Sequence, residues 1–132
     1  MATDCPTFTW PIRVYYEDTD AGGIVYNANY LRYMERARTE WLRTLGMTHG
    51  ALSEQDSTQL VITRADLRFR APARLDDELQ VTVTITRLRR ASLDLLQEVR
   101  HGPDRLLCSA LVTVACVDTE RHRPQPLPSI LR

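Results

Sequence analysis

Hydrophobic and polar residues alternate along this chain at two different periods. Over residues 27–45, Tyr30, Met34, Ala37, Trp41 and Leu45 recur at spacings of four, three, four and four, which places them on one face of a helix. Arg32, Glu35, Arg36, Thr39 and Arg43 occupy much of the rest of the turn. Asn27 and Asn29 both qualify as N-caps, because a short side-chain oxygen accepts an otherwise unpaired amide of the first turn. Gly46 supplies a natural stop. The pattern therefore predicts one long helix over 27–45, and a short second helix is expected over 48–55.

Elsewhere the period is two. In 61–71, Val61, Ala65, Leu67 and Phe69 read onto one face, and Arg64, Asp66, Arg68 and Arg70 onto the other. Leu79, Val81, Val83 and Ile85 alternate with Gln80, Thr82, Thr84 and Thr86. Residues 91–100 alternate less cleanly, and His101-Gly102-Pro103-Asp104 reads as a turn. Residues 106–117 are apolar on both parities, as in a central strand. A first extended segment is expected over 8–18, with Pro11 near its start, where an edge strand tolerates it. Beyond residue 119, Pro124, Pro126 and Pro128 favour an extended or loose tail. The order is strand, long helix, then four long strands joined by short turns. That is an α+β fold with one antiparallel sheet and one principal helix, in a single domain over 1–132. One amphipathic helix covers only one face of such a sheet. The sheet is expected to wrap around the helix and to bury its leftover surface against a second copy, as a homo-oligomer.

Composition adds exclusions. A length of 132 residues suits one domain, and 43% hydrophobic with 26% charged residues is ordinary for a globule. The start, Met-Ala-Thr-Asp-Cys-Pro, has neither the basic nor the apolar region of a signal peptide. No apolar run approaches the length that crosses a bilayer. A cytoplasmic location without membrane insertion is the expectation. The 17 basic and 17 acidic residues cancel, which gives no reason to expect nucleic acid as a partner. Every basic residue is Arg and none is Lys, so Schiff-base, pyridoxal-linked and P-loop lysine chemistries are excluded. Cys5, Cys108 and Cys116 have no Cys-x-x-Cys spacing, and the last two, in an apolar run, are expected to be reduced core residues. His49, His101 and His122 are scattered, which argues against a zinc site.

Catalytic motifs of other classes are missing. There is no Gly-x-Ser-x-Gly elbow, no Gly-x-Gly-x-x-Gly and no Walker A sequence. Asp18-Thr19-Asp20 invites a calcium reading, but in an EF-hand frame from Asp18 the twelfth position is Asn29, not the bidentate Glu that calcium requires. The chemistry-bearing stretch is Tyr15-Tyr16-Glu17-Asp18-Thr19-Asp20-Ala21-Gly22-Gly23-Ile24-Val25-Tyr26-Asn27. It sets carboxylates in a glycine-bearing loop directly before a helix. The first turn of that helix offers free N–H groups and the positive end of the macrodipole, which suit an oxygen gaining charge in acyl transfer. A nearby carboxylate could attack an acyl carbon or take a proton from water. Equally, Asp and Gly before a helix are ordinary turn and capping residues.

The stretch from Arg13 to Arg38 resembles the signature of the 4-hydroxybenzoyl-CoA thioesterase family of hotdog proteins, in particular its YbgC-type, Tol–Pal-associated acyl-CoA thioesterases. The resemblance rests on Arg13-Val14-Tyr15-Tyr16-Glu17-Asp18-Thr19-Asp20-Ala21-Gly22-Gly23 and Glu35-Arg36-Ala37-Arg38-Thr39-Glu40, with Ala71-Pro72-Ala73-Arg74-Leu75-Asp76-Asp77 and Cys116-Val117-Asp118 further on. It implies a hotdog fold, a long central helix wrapped by a curved antiparallel sheet of about five strands. It implies hydrolysis of acyl-CoA or acyl-carrier-protein thioesters, with Asp20 as nucleophile or general base. The N–H that polarises the carbonyl maps to about Asn27, where YbgC-type proteins often carry a histidine. Sites at subunit interfaces of a homodimer or homotetramer are implied, without metal or redox cofactor. Gly23, Tyr26, Tyr30, Arg70 and Arg74 are candidates for substrate binding; Arg89 and Arg90 are further candidates for coenzyme A phosphates, and Glu35 could approach the site. For the tyrosines, core packing is an equal explanation, and for any single Arg, a polar strand face. The rival from another class is a non-catalytic acyl-CoA or acyl-carrier binding module. A hotdog dehydratase would need a histidine near the helix, and none is there.

Overall fold

The computed structural model of the protein describes residues 7–132; Cys5 lies outside the described residues. Strand β1 (Phe8–Arg13) is followed by a 3-10 turn at Tyr16–Asp18, helix α1 (Asn29–Thr44) and helix α2 (His49–Asp56). Then come β2 (Thr58–Phe69), β3 (Glu78–Leu88), β4 (Ser92–Arg100) and β5 (Leu106–Asp118), a two-residue β6 (Arg123–Pro124) and a last 3-10 turn. The strands form one curled sheet in the order β1-β3-β4-β5-β2, with β6 attached to β5. Every pairing is antiparallel. Among the described residues no helix is long and apolar enough to cross a membrane.

The helix forms where its periodicity predicts and stops at Gly46, whose φ of 82° only glycine adopts cheaply. Its buried face is wider than one stripe. Asn29, Tyr30, Tyr33, Met34, Ala37 and Leu42 are buried, whereas Trp41 and Leu45 are partly buried at the margin. The N-cap expectation is corrected. Ala28 holds the cap position in a helical conformation with no side-chain cap, and Asn29 is already inside the helix. α2 does have a conventional cap, the Thr48 hydroxyl accepting from the Ala51 N–H at 3.1 Å.

α1 packs on β3, β1 and β4, and α2 on β2. The inward sheet face is apolar: Leu79, Val81 and Val83 from β3, Leu93, Leu95 and Val99 from β4, Leu107, Cys108, Ala110, Val112, Val114 and Cys116 from β5. Truncating a fully buried leucine such as Leu95 removes its transfer energy and leaves a cavity, a loss of about 2–5 kcal/mol. The uneven alternation of β4 has a cause. Gln97 is fully buried on its inward face, where its amide donates to the Met34 carbonyl at 3.1 Å and the Thr82 carbonyl at 3.3 Å. Arg38 Nη1 donates to its oxygen at 2.9 Å. One polar side chain thus ties the helix to two strands, and all its groups are paired.

Two strand expectations change. The first extended segment ends at Arg13, because the chain turns into the 3-10 helix. In β2 the register slips between Ile62 and Arg64. This bulge puts two residues against one on β5 and flips the parity before it. Ala65, Leu67 and Phe69 oppose Val112, Ala110 and Cys108 and share the inward face, but there Leu60 and Ile62, opposite Cys116 and Val114, complete it. Val61 faces outward, opposite Ala115. Cys108 and Cys116 are buried free thiols; burial pushes the Cys108 thiol up to about 11, which makes it inert near neutral pH.

Candidate active site

Local hydrogen bonding shapes the loop before α1. Tyr15 N–H donates to Asp18 Oδ2 at 2.8 Å, and the Asp18 N–H returns to the Tyr15 carbonyl at 3.0 Å. That reciprocal cap curls residues 15–18. Thr19 then bridges Val25, and the Asp20 N–H donates to the Ile24 carbonyl at 2.9 Å, which closes a tight turn over Asp20-Ala21-Gly22-Gly23. The turn requires a glycine at residue 23 and leaves little room for a side chain at residue 22. Gly23 sits at φ 79°, and a Cβ on Gly22 would stand 3.2 Å from Asp20 Oδ1. That carboxyl oxygen accepts the Gly22 N–H at 2.8 Å. Asp20 is exposed at the tip, and its other oxygen has no partner among the described residues.

The chain returns through Val25 and Tyr26 to the helix. Asn29 N–H donates to the Tyr26 carbonyl, Tyr30 N–H to Asn27 and Leu31 N–H to Ala28. The N–H groups of Asn27 and Ala28 have no acceptor among the described residues. They are free donors at the positive end of the helix. Beside them lies a cavity of about 400 Å³ lined by Ile24, Val25, Asn27, Tyr30, Phe69, Arg70, Ala71 and Pro72. Its wall is more apolar than polar, with Asn27, Tyr30 and Arg70 as the polar groups, a mixture that suits a small-molecule site.

The sequence candidates separate on this geometry. Asn27, Tyr30 and Arg70 line the cavity. Tyr30 is also core: it is 3% exposed, and its hydroxyl accepts the buried Ala73 N–H at 3.0 Å. Burial pushes its proton affinity up. Gly23 shapes the turn that carries Asp20 and does not line the cavity. Tyr26 is exposed outside the cavity, with its backbone holding Asp18 and Asn29. Arg74 is exposed in a turn whose backbone bridges Ile24. Glu35 lines different cavities, one between α1 and the β2–β5 side of the sheet and one under α2. Arg89 and Arg90 follow β3, at the opposite end of that strand from the residue 73–77 turn, and Arg89 is bound by Asp94.

Two functional-looking residues escaped the sequence reading. Asp18, weighed only as a calcium ligand, is 6% exposed, and both its carboxyl oxygens are occupied, by Tyr15 N–H and by Asn29 Nδ2 at 2.8 Å each. Its carboxylate is turned inward onto these two donors and not outward as a cation ligand. Among the described residues no group of three or more His, Cys, Asp or Glu is arranged to hold a metal. Asn29, read as a cap, is 7% exposed and serves as the donor to Asp18.

Comparison with known proteins agrees with this architecture. The model of the thioesterase-like superfamily matches residues 14–132. The chain is 45% identical over 121 residues to the acyl-CoA thioester hydrolase YbgC of Escherichia coli O6:H1, covering 92% of this chain and 90% of the relative. A probable thioesterase from Bartonella henselae superposes with a TM-score of 0.87 at 33% identity, over 93% of this chain and 100% of that one. Slr0204, a 1,4-dihydroxy-2-naphthoyl-CoA thioesterase from Synechocystis, superposes with a TM-score of 0.88 at 28% identity, over 96% and 93%. The chain therefore belongs to the thioesterase-like superfamily of hotdog proteins and, within it, to the YbgC-type family of thioesterases.

Proposed function

We propose that this protein hydrolyses acyl-CoA thioesters to the free acid and coenzyme A. The observation that carries the reading is the pair of free N–H groups at Asn27 and Ala28 beside an apolar cavity, with an exposed carboxylate, Asp20, on the adjoining turn. The acyl chain enters the cavity, and the thioester oxygen lies against the helix N-terminus. Preorganised N–H donors stabilise the charge that develops on that oxygen. In the general-base route Asp20 takes a proton from water as the water oxygen bonds to the acyl carbon. Collapse then breaks the C–S bond, and the thiolate leaves and gains a proton. In the nucleophilic route Asp20 forms the bond itself, and water hydrolyses the mixed anhydride. Both routes conserve atoms without metal or redox cofactor. Arg70, on the cavity rim, and Arg74, on the adjoining turn, supply cations for the coenzyme A phosphates.

Asn27 stands where a histidine is frequent in this family by the resemblance set out above. Its side chain is not an acid–base near neutral pH, so the reading assigns the proton transfer to Asp20 and only the backbone N–H to Asn27. An acyl group on a carrier protein would present the same thioester to the same groups. The reading further takes the working form as a homodimer or homotetramer in the cytoplasm, with the site at the subunit boundary.

The test is thiol release from a panel of acyl-CoA esters, from short aliphatic to long-chain and aromatic. Asp20→Asn should lower kcat by about 10²–10⁴, the usual worth of a positioned acid–base, with an unchanged circular dichroism spectrum. Undiminished turnover in that variant would sink the mechanism. Binding without release of any thiol would favour a non-catalytic acyl-carrier or acyl-CoA binding module.

A further inference from the structure

We infer that Asp18 is a positioning residue that sets the distance between Asp20 and the Asn27 N–H, working through Asn29. This rests on the reading that those two groups perform the chemistry. The geometry is specific. Asp18 is buried and held at four points: its N–H on Tyr15, its two carboxyl oxygens on Tyr15 N–H and Asn29 Nδ2, and its carbonyl on Tyr26 N–H at 2.9 Å. Tyr26 precedes Asn27 and Asn29 follows it by two, so Asp18 grips the chain on both sides of the free N–H. Asp20 lies two residues further along, on a turn that the Thr19–Val25 bridge joins to the same anchor. No other side chain among the described residues makes hydrogen bonds to both the loop and the helix start.

A structural cap for residues 15–18 would need only the Tyr15 bond. The second oxygen is turned instead to a buried amide eleven residues away, and burying both polar groups is costly unless they meet. The groups facing the pair are few. The Tyr33 hydroxyl is buried beside it, close enough to Asn29 and Asp18 to feel both but without hydrogen-bond geometry to either, and burial, ahead of the opposing effect of Asn29, holds its proton well above the usual tyrosine range. The Arg36 guanidinium lies 5.9 Å over the Tyr33 ring. Tyr15, exposed, contributes only its backbone. Catalytic geometry tolerates little slack: about 1 Å of misplacement costs on the order of 10²-fold in rate.

The experiment replaces the donor in this bond by an acceptor and then restores the bond reversed. Asn29→Asp sets two carboxylates in one buried site, where the first charge disfavours the second and one carboxyl holds its proton to higher pH. At low pH the shared proton bridges them and the loop stays in place; as pH rises the pair ionises and separates. The expected result is a kcat that falls at least about tenfold between pH 6 and 9 relative to the wild-type profile, with KM changed by less than about threefold. In Asp18→Asn with Asn29→Asp, the new amide oxygen accepts from Tyr15 N–H and the new amide nitrogen donates to residue 29. This double swap should recover kcat to within about threefold of wild type and abolish the added pH dependence. If Asn29→Asp does not fold, Asn29→Ala, which leaves Asp18 without its donor, should lower kcat about tenfold or more at unchanged KM. Wild-type kcat and pH profile in both Asn29 variants, alongside an inactive Asp20→Asn, would overturn the positioning role and leave the thioesterase reading standing. Full activity of Asp20→Asn would instead remove the reading itself.

Discussion

Ala73 joins the 71–77 turn to the candidate site by two backbone bonds. Its carbonyl accepts the Val25 N–H at 2.9 Å, and its own N–H, fully buried, donates to the Tyr30 hydroxyl at 3.0 Å. Tyr30→Phe deletes the acceptor and leaves that N–H stranded, which costs about 1–3 kcal/mol. Urea denaturation should report a lower midpoint at unchanged slope; an unchanged midpoint would mean that another acceptor moves in. At this scale the sequence was partly legible. The aromatic periodicity located Tyr30, and the glycines located the turn at Asp20. What could not be read was the partnership of Asp18 with Asn29 and of Tyr30 with Ala73. Each joins residues distant in sequence, and each side chain carries a bland local explanation, as a turn former, a cap or a core aromatic. A polar residue one step before the apolar stripe of a helix was the available signal, since Asn29 lies on the same side as Tyr33.

Elements obeyed their periods except where one residue broke the count. The alternation in β3 placed Leu79, Val81 and Val83 inward, as found. β2 did not comply, because a bulge leaves no mark in composition: Ile62 and Thr63 both suit either face, and only pairing with β5 decides. Side-chain clamps then fix the hairpins. Arg89 Nη1 and Nη2 donate to the two Asp94 oxygens at 2.9 and 2.8 Å, and Thr113 Oγ1 donates at 2.8 Å, joining the β3–β4 turn to β4 and β5. The Arg89 guanidinium, with the Thr113 hydroxyl assisting against partial burial, holds the Asp94 carboxyl at about 2, below its ordinary 3.8. A depressed carboxylate contributes stability that is fully present above the unfolded value and is lost as pH falls through the folded one. Asp94→Asn should therefore melt below wild type at pH 7, by the modest amount of a surface pair. The gap should close as pH is lowered from about 4 to about 2. A gap that persists at pH 2 would assign the effect to packing rather than charge.

For the whole molecule, the sheet has more surface than its helices cover. Among the described residues β2 is a twelve-residue edge whose only ladder partner is β5, which leaves a run of N–H and C=O groups along its outer side for another strand. Its inward face near that edge is apolar and uncovered: Ile62 is 44% exposed and Phe69 is 55% exposed. Ile62 and Phe69 each line a cavity next to α1, and that of Phe69 is the candidate active site. A strand meeting its own copy about a two-fold axis runs antiparallel to it, and an isologous contact buries both apolar margins at once. The amphipathic arithmetic of one helix against five strands pointed to such a partner from the sequence, although the edge that would receive it emerged only with the strand order. Ile62→Glu tests the assembly. The isolated chain tolerates a charge at a half-exposed position, whereas a copy packed over it must desolvate that charge, a penalty of several kcal/mol. Sedimentation at micromolar concentration should then find wild type as a dimer or tetramer and the variant as a folded monomer. Turnover should fall with the loss of assembly and partly return at high protein concentration. A monomeric wild type that releases thiol at full rate would confine the whole site to one chain and leave the open edge of β2 without a catalytic role.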